Sequence, residues 1–280
     1  MAVRAVASRC GGVKAGHAGT LDPLADGLII ALFGKATKLS RYFTALDKTY
    51  LGRLRLGERT NTGDGEGYVV ERKFVEVTFE RLHEISRELT GEQKQLPPAF
   101  SAVKYRGKPL YKYARKGIEV PVKPRRVRVE KLEIEEIDLP EVELTARVSS
   151  GTYIRSLAEE IGRRSGCGAH LLSLRRTAVG KFSEEGAIGL NEAMKLAGEG
   201  ELEDILLSPS EALYFFPEVE VDSETALRIT HGERPDLGKS GSPGDIFKIV
   251  HDRELVAVAA WEDIGYSFER VMMTPESIEN

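Results

Sequence analysis

The chain has 280 residues, 41% of them hydrophobic and 30% charged, with a formal net charge of −4. That length suits one large domain with a smaller companion, and the composition excludes wholesale disorder and a membrane-spanning helix. Cys10 and Cys167 stand alone, which leaves neither a disulfide framework nor a CxxC metal motif, and no signal-peptide core opens the chain, so a reducing cytoplasm is the expected setting.

Residues 1 to 12 read as the end of an amphipathic helix, with Val3 and Val6 on one side and Gly11-Gly12 as its stop. Next comes a loop, Lys14 to Leu28, that carries ionisable side chains, glycines and a proline ahead of the apolar run Leu28 to Phe33. Pro23 biases Asp22 toward an extended backbone, and Gly16 and Gly19 permit close approach of the loop to another segment. Such a loop can aim a carboxylate outward, but an ordinary Asp-Pro turn would use the same residues, so the motif alone leaves both readings open. Lys35 to Thr44 reads as a short helix with Leu39 and Phe43 inward, followed by a strand from Lys48 to Leu56 with Tyr50, Gly52, Leu54 and Leu56 on one face.

The polar turn Thr60 to Gly67 is rich in glycine but lacks the strand-to-helix arrangement of a phosphate-binding loop. Phe79 to Leu89 has helical spacing, with Thr78 as N-cap and Gly91 as stop. Leu96 to Ser101 breaks regular structure, and Pro109 opens a short helix over Leu110 to Lys116. Alternation then predicts two strands, one through Val127, Val129, Leu132 and Ile134, the other through Val142, Leu144, Ala146 and Val148. Ser149 to Leu157 reads as a strand end turning into a helix, which places Tyr153 and Arg155 at a helix N-terminus on the rim of a sheet. His170 to Arg176 is a further strand, with Leu172 and Leu174 on one side. Beyond the acidic stretch Glu199 to Pro209, short strands near Val219, Ile246 to Val250, Leu255 to Trp261 and Phe268 to Met272 suggest a small β-rich module, with a helix at Ser223 to Thr230.

Charge is uneven. From Lys104 to Lys131 a dense run of bases, including Lys104, Lys123, Arg125 and Arg126, is opposed only by Glu119 and Glu130, while acids dominate elsewhere. A solvated charged face accounts for this as well as a phosphate-facing surface does, although Phe100, Tyr105, Tyr111 and Tyr113 nearby add rings on which nucleobases could stack. The histidines show no ligand spacing, and no metal is assigned.

Four segments in order, the Gly16-His17-x-Gly19-x-Leu21-Asp22-Pro23 signature, Asp47-Lys48-Thr49-Tyr50, Gly151-Thr152-Tyr153-Ile154-Arg155 and Leu172-Ser173-Leu174-Arg175-Arg176, closely resemble the TruB family of tRNA pseudouridine synthases. The resemblance runs over nearly the whole chain. It implies an α+β pseudouridine synthase fold, a mixed and largely antiparallel sheet with flanking helices over residues 1–208, and a PUA-like RNA-binding module over residues 209–280. The implied activity is isomerisation of the T-loop uridine of tRNA, position 55, without cofactor or metal, by a monomer that grips the T-arm. Asp22 matches the catalytic aspartate, and Arg155 the arginine that would pair with it bidentately and keep it ionised and aimed. Tyr50 matches the tyrosine that stacks on the target base, Tyr153 and Leu174 the pocket walls, and His17 the wedge in the T loop. Lys38 is a candidate phosphate contact, and the basic segment would track the RNA backbone.

Family members carry a strand and a Lys-Pro-x-Gly-x-Thr-Ser motif ahead of the helix that opens this sequence. Without them the expected alternative is a catalytically weak tRNA-binding or folding protein; an RNA-guided synthase within a larger particle would call for a longer basic tail.

Overall fold

The computed structural model describes residues 2–278. Met1, at the head of the expected first helix, and residues 279 and 280, at the end of the expected C-terminal module, lie outside the described residues. Contacts divide the chain into two units, one made of residues 17–31 and 39–188, the other of residues 1–16, 32–38 and 189–280.

The first unit is built on a seven-stranded mixed sheet. Phe182–Ser183, Ala169–Val179, Lys48–Leu56, Glu141–Val148, Arg125–Asp138 and Gly91–Gln95 lie side by side, each antiparallel to its neighbour. Ala25–Gly27, from the opening loop, joins Ala169–Val179 in parallel. Strict alternation drives the arrangement: Val142, Leu144, Ala146 and Val148 all turn inward, with Val142 opposite Leu54 and Ala146 opposite Tyr50 of the central strand Lys48–Leu56. Helices Phe79–Glu88 and Ile154–Arg164 cover that face with Leu82, Ile85, Leu157, Ala158 and Ile161, which share one core with the strand residues. Each buried Leu or Ile there contributes roughly 1.5–3 kcal/mol. The expected cap holds, since the Thr78 hydroxyl accepts the Arg81 N–H at 3.3 Å.

Three local expectations give way. Lys35 to Thr44 is not one helix: a tighter 3-10 turn, Gly34–Leu39, leads into the helix Ser40–Ala45. The Thr37 hydroxyl donates to the Gly34 carbonyl at 2.8 Å, a local bond that competes with α-helical pairing, yet Leu39 and Phe43 are buried as expected. Gly91 does not only stop a helix, because it opens the edge strand Gly91–Gln95, whose polar sequence carries no alternation for a sequence reading to detect. Finally, a bulge between Leu171 and Ser173 shifts the inward set of Ala169–Val179 from Leu172 and Leu174 to Leu171, Leu174 and Arg176.

In the second unit, Glu218–Glu220, Ile246–His251, Glu254–Trp261 and Tyr266–Val271 form a four-stranded sheet, the first pair parallel and the rest antiparallel. Helix Ser223–Thr230 buries Ala226 and Ile229 in the same core as Phe247, Trp261 and Tyr266. The hairpin turn at Asp252 and Arg253 takes positive φ at both positions, as a two-residue connection between twisted strands demands. Helix Ala2–Arg9 packs Val6 against Ala197 and Leu202.

Candidate active site

Asp22 lies at the tip of the opening loop, where its carbonyl accepts the Ala25 N–H at 2.9 Å and closes a turn through Pro23 and Leu24. The parallel pairing of Leu174 with Ala25 and Arg176 with Gly27 then fastens the loop's far side to the sheet. Here glycine is required: Gly27 has φ of 98°, and a Cβ there would fall on the Arg176 backbone. The loop therefore projects a carboxylate from a sheet edge, with its side chain 32% exposed.

Arg155, in the first turn of the helix Ile154–Arg164, has a side chain only 3% exposed, and its Nε–H donates to Asp22 Oδ2 at 2.7 Å. The expected bidentate pairing is not what the guanidinium makes. Its Nη1 donates to the Thr62 carbonyl at 3.0 Å and lies 3.6 Å from Asp64 Oδ2, while Nη2 donates to the Phe100 carbonyl at 2.9 Å. One planar group thus ties the loop, the polar turn and the irregular segment before Ser101 to a single point. Asp64 is itself buried, its Oδ1 accepting the Thr62 hydroxyl at 2.6 Å and the Glu66 N–H at 3.2 Å. Backbone bonds between Gly65 and Leu171, 2.8 Å, and between Leu171 and Gly63, 3.1 Å, staple that turn to the sheet. A buried cation held by a buried carboxylate and two carbonyls has little freedom, so the orientation of Asp22 is fixed from below.

Tyr153 is placed by a residue that the sequence reading did not single out. Gln95, at the end of the edge strand, accepts the Tyr153 N–H at 2.8 Å and donates back to the Tyr153 carbonyl at 3.0 Å. Leu174 is buried beside Gly52 on the central strand. Tyr50, two residues along that strand, pairs across it with Arg176. Burial pushes the Tyr50 phenol up, the Arg176 guanidinium and its hydrogen bond pull it down, and the nearby Asp22 carboxylate pushes it up again. Asp22, Arg155, Tyr50 and Leu174 thus gather around the opening loop, with Tyr153 at the start of the helix that carries Arg155. Thr62, Asp64, Gln95 and Arg176 were not foreseen. Asp64 was hidden in a turn that reads as a solvated loop, and Arg176 in a pair that reads as a charged strand end.

Lys48 is also buried and donates to the Leu46 carbonyl at 2.6 Å and to the Thr44 carbonyl. Burial, with the Arg176 charge, pulls its ammonium down to about 8, against a smaller upward pull from Asp47.

His17 is exposed on the strand Ala15–Ala18, at the entry to the loop. Lys38 is exposed at the end of the 3-10 turn and lies in the other unit. Lys104, Lys123, Arg125 and Arg126 are exposed. Arg125 and Arg126, together with Arg41, Ser150 and Gly151, line an open cleft of about 370 Å³. Among the described residues no ion pair reaches any base between Lys104 and Arg126, whereas Arg128 lies 3.6 Å from Asp47 and Lys131 lies 2.7 Å from Glu133. No helix among the described residues is long and apolar enough to cross a membrane.

The arrangement has solved counterparts. A Cbf5-Nop10-Gar1 complex matches with a TM-score of 0.76 over 99% of this chain and 82% of that chain, at 27% identity. An archaeal box H/ACA sRNP Nop10-Cbf5 complex matches at 0.75, with 23% identity, and covers 99% of this chain and 82% of its own. The fold is that of the pseudouridine synthases. Residues 7–154 match the TruB family pseudouridylate synthase N-terminal domain, and residues 155–213 match the tRNA pseudouridylate synthase B C-terminal domain. Sequence relatives include tRNA pseudouridine synthase B of Pseudoalteromonas translucida, 42% identical over 85% of this chain and 78% of that protein. That of Ralstonia nicotianae is 43% identical over 89% and 82%. The chain belongs to the TruB family of pseudouridylate synthases, which are isomerases.

Proposed function

We propose that this protein isomerises the T-loop uridine of tRNA, position 55, to pseudouridine, with Asp22 as the catalytic carboxylate. The observation that carries the reading is the 2.7 Å tie from the buried Arg155 to Asp22. It leaves the carboxylate part-exposed and aimed, which suits either attack at C1′ or removal of the C2′ proton. The N1–C1′ bond breaks, the uracil turns while bound, a C5–C1′ bond forms, N1 gains a proton and C5 releases one. Tyr50 stacks on the base and stands where it can take the C5 proton; Tyr153 and Leu174 wall the pocket. His17 enters the T loop as the base is extruded. Lys104, Lys123, Arg125 and Arg126 follow the phosphate backbone of the T-arm, and Lys38 makes a further phosphate contact. On this reading residues 1–208 are catalytic, residues 209–280 form a PUA-like RNA-binding module, and the enzyme works as a cytoplasmic monomer.

The relatives at 42% and 43% identity are named as tRNA pseudouridine synthases, while the Cbf5 complexes match at 27% and 23%, which favours tRNA as substrate. A binding-only role would have no use for a buried arginine aimed at a loop carboxylate. The test is tritium release from tRNA labelled at uridine C5, with a transcript bearing cytidine at position 55 as control. Release lost only in the control is expected; no release from uridine-55 tRNA, or release indifferent to that position, would sink the proposal.

A further inference from the structure

Arg176 is 1% exposed and has no ion pair among the described residues. Burying an unpaired guanidinium costs several kcal/mol, and a methionine would fill a similar volume without that cost. What the charge obtains is directed bonding. Its Nη2 donates to the Gly19 carbonyl at 3.0 Å and its Nε to the Leu28 carbonyl at 2.8 Å, so one side chain ties both ends of the loop that carries Asp22. The main chain of the same residue accepts the Leu28 N–H at 2.7 Å. Arg176 also pairs with Tyr50 across the two neighbouring strands, and its charge acts on the Tyr50 phenol.

The loop is shaped to this side chain. Gly19 has φ of 87°, and a Cβ there would lie 3.2 Å from Arg176 Nη1 and 3.9 Å from Lys48 Cε. Lys48, buried alongside, donates to carbonyls at the end of the helix Ser40–Ala45 and walls the guanidinium on that side. Arg155 reaches the carboxylate of Asp22, whereas Arg176 reaches the backbone on either side of it and lies opposite Tyr50, the residue assigned to the base, on the adjoining strand.

We propose that Arg176 is a positioning residue: it sets the span of the loop from Gly19 to Leu28 and the place of the Tyr50 hydroxyl together, so that the group acting at the ribose and the group beside C5 keep a fixed separation. This rests on the function proposed above. Since the uracil must turn between the two without leaving, a change in their separation harms the chemical step more than the binding of RNA, and a displacement on the order of 1 Å is worth about a hundredfold in rate.

The experiment compares Arg176→Met and Arg176→Lys with the wild-type chain. In single turnover at saturating enzyme, where the rate constant does not depend on the folded fraction, Arg176→Met is expected to slow C5 tritium release about a hundredfold while tRNA binding stays within about threefold. Arg176→Lys keeps the charge without the planar fork and should fall between the two. Hydrogen exchange supplies a readout that needs no substrate: amides from Gly19 to Leu28 should exchange faster in Arg176→Met while the central strand stays protected. If that variant does not fold, Arg176→Lys carries both measurements. Unchanged loop exchange, or a wild-type rate constant in the folded variants, overturns the proposal. A wild-type chain that fails to release tritium counts against the function alone, because the exchange result still decides the role of Arg176 in holding the loop.

Discussion

Around the loop that carries Asp22, the guanidiniums of Arg155 and Arg176 are buried and bonded to named oxygens of Asp22, Thr62, Phe100, Gly19 and Leu28. Between Lys104 and Arg126 the bases are mostly exposed and make no ion pair among the described residues, although Arg53, Arg59, Arg72, Arg81 and Arg147 elsewhere on the same unit are all paired with glutamates. Two of them lie over aromatic rings, Arg106 over Tyr105 and Arg115 over Tyr111. Under the function proposed above, the difference separates two tasks. Cations that position a catalytic group are satisfied before substrate arrives, whereas cations that meet phosphates stay solvated and release counterions on binding.

If that division is right, the two regions respond to different perturbations. Replacing Arg125 and Arg126 together with glutamine should lower the slope of log affinity against log salt by about two, with roughly tenfold weaker binding at low salt and an unchanged single-turnover rate at saturation. Filter binding across a salt series checks this, and an unchanged slope would remove the cleft that they share with Arg41 from the RNA surface. A smaller effect concerns the buried ammonium beneath the loop. The Lys48 pKa is lowered to about 8 in the folded protein, so between pH 8 and the ordinary lysine value the unfolded chain holds the extra proton and folding is favoured by raising pH. Relative to Lys48→Met, the wild-type protein should therefore gain about 1 kcal/mol per pH unit from pH 8 to 10, measured by denaturant unfolding. A flat difference would show that Lys48 does not change its charge in that window.

Much of the strand framework was legible because alternation survives burial: Val142 to Val148 and Leu54 to Leu56 announce their inward faces in the sequence itself. Asp22, Tyr50 and Arg155 were legible as a set, since their segments match one family in order and spacing. What escaped was the supporting shell. Asp64 and Thr62 sit in a turn whose composition is that of any exposed loop, and only the fold brings it under Arg155. Gln95 belongs to an edge strand with no hydrophobic pattern, and Arg176 shares the inward face of Leu174 two residues away, a place that its charge disguises as a solvated strand end. Polar groups of this kind are chosen by tertiary partners far away along the chain, and local periodicity holds no trace of them.

The central claim is that Asp22 performs the chemistry while other residues hold the RNA. It is tested most directly by Asp22→Asn, which keeps the size of the side chain and removes its charge, assayed for C5 tritium release and for tRNA affinity on one preparation. The account predicts release lowered by at least about a thousandfold, with affinity within about twofold of wild type. Release at the wild-type rate would contradict it.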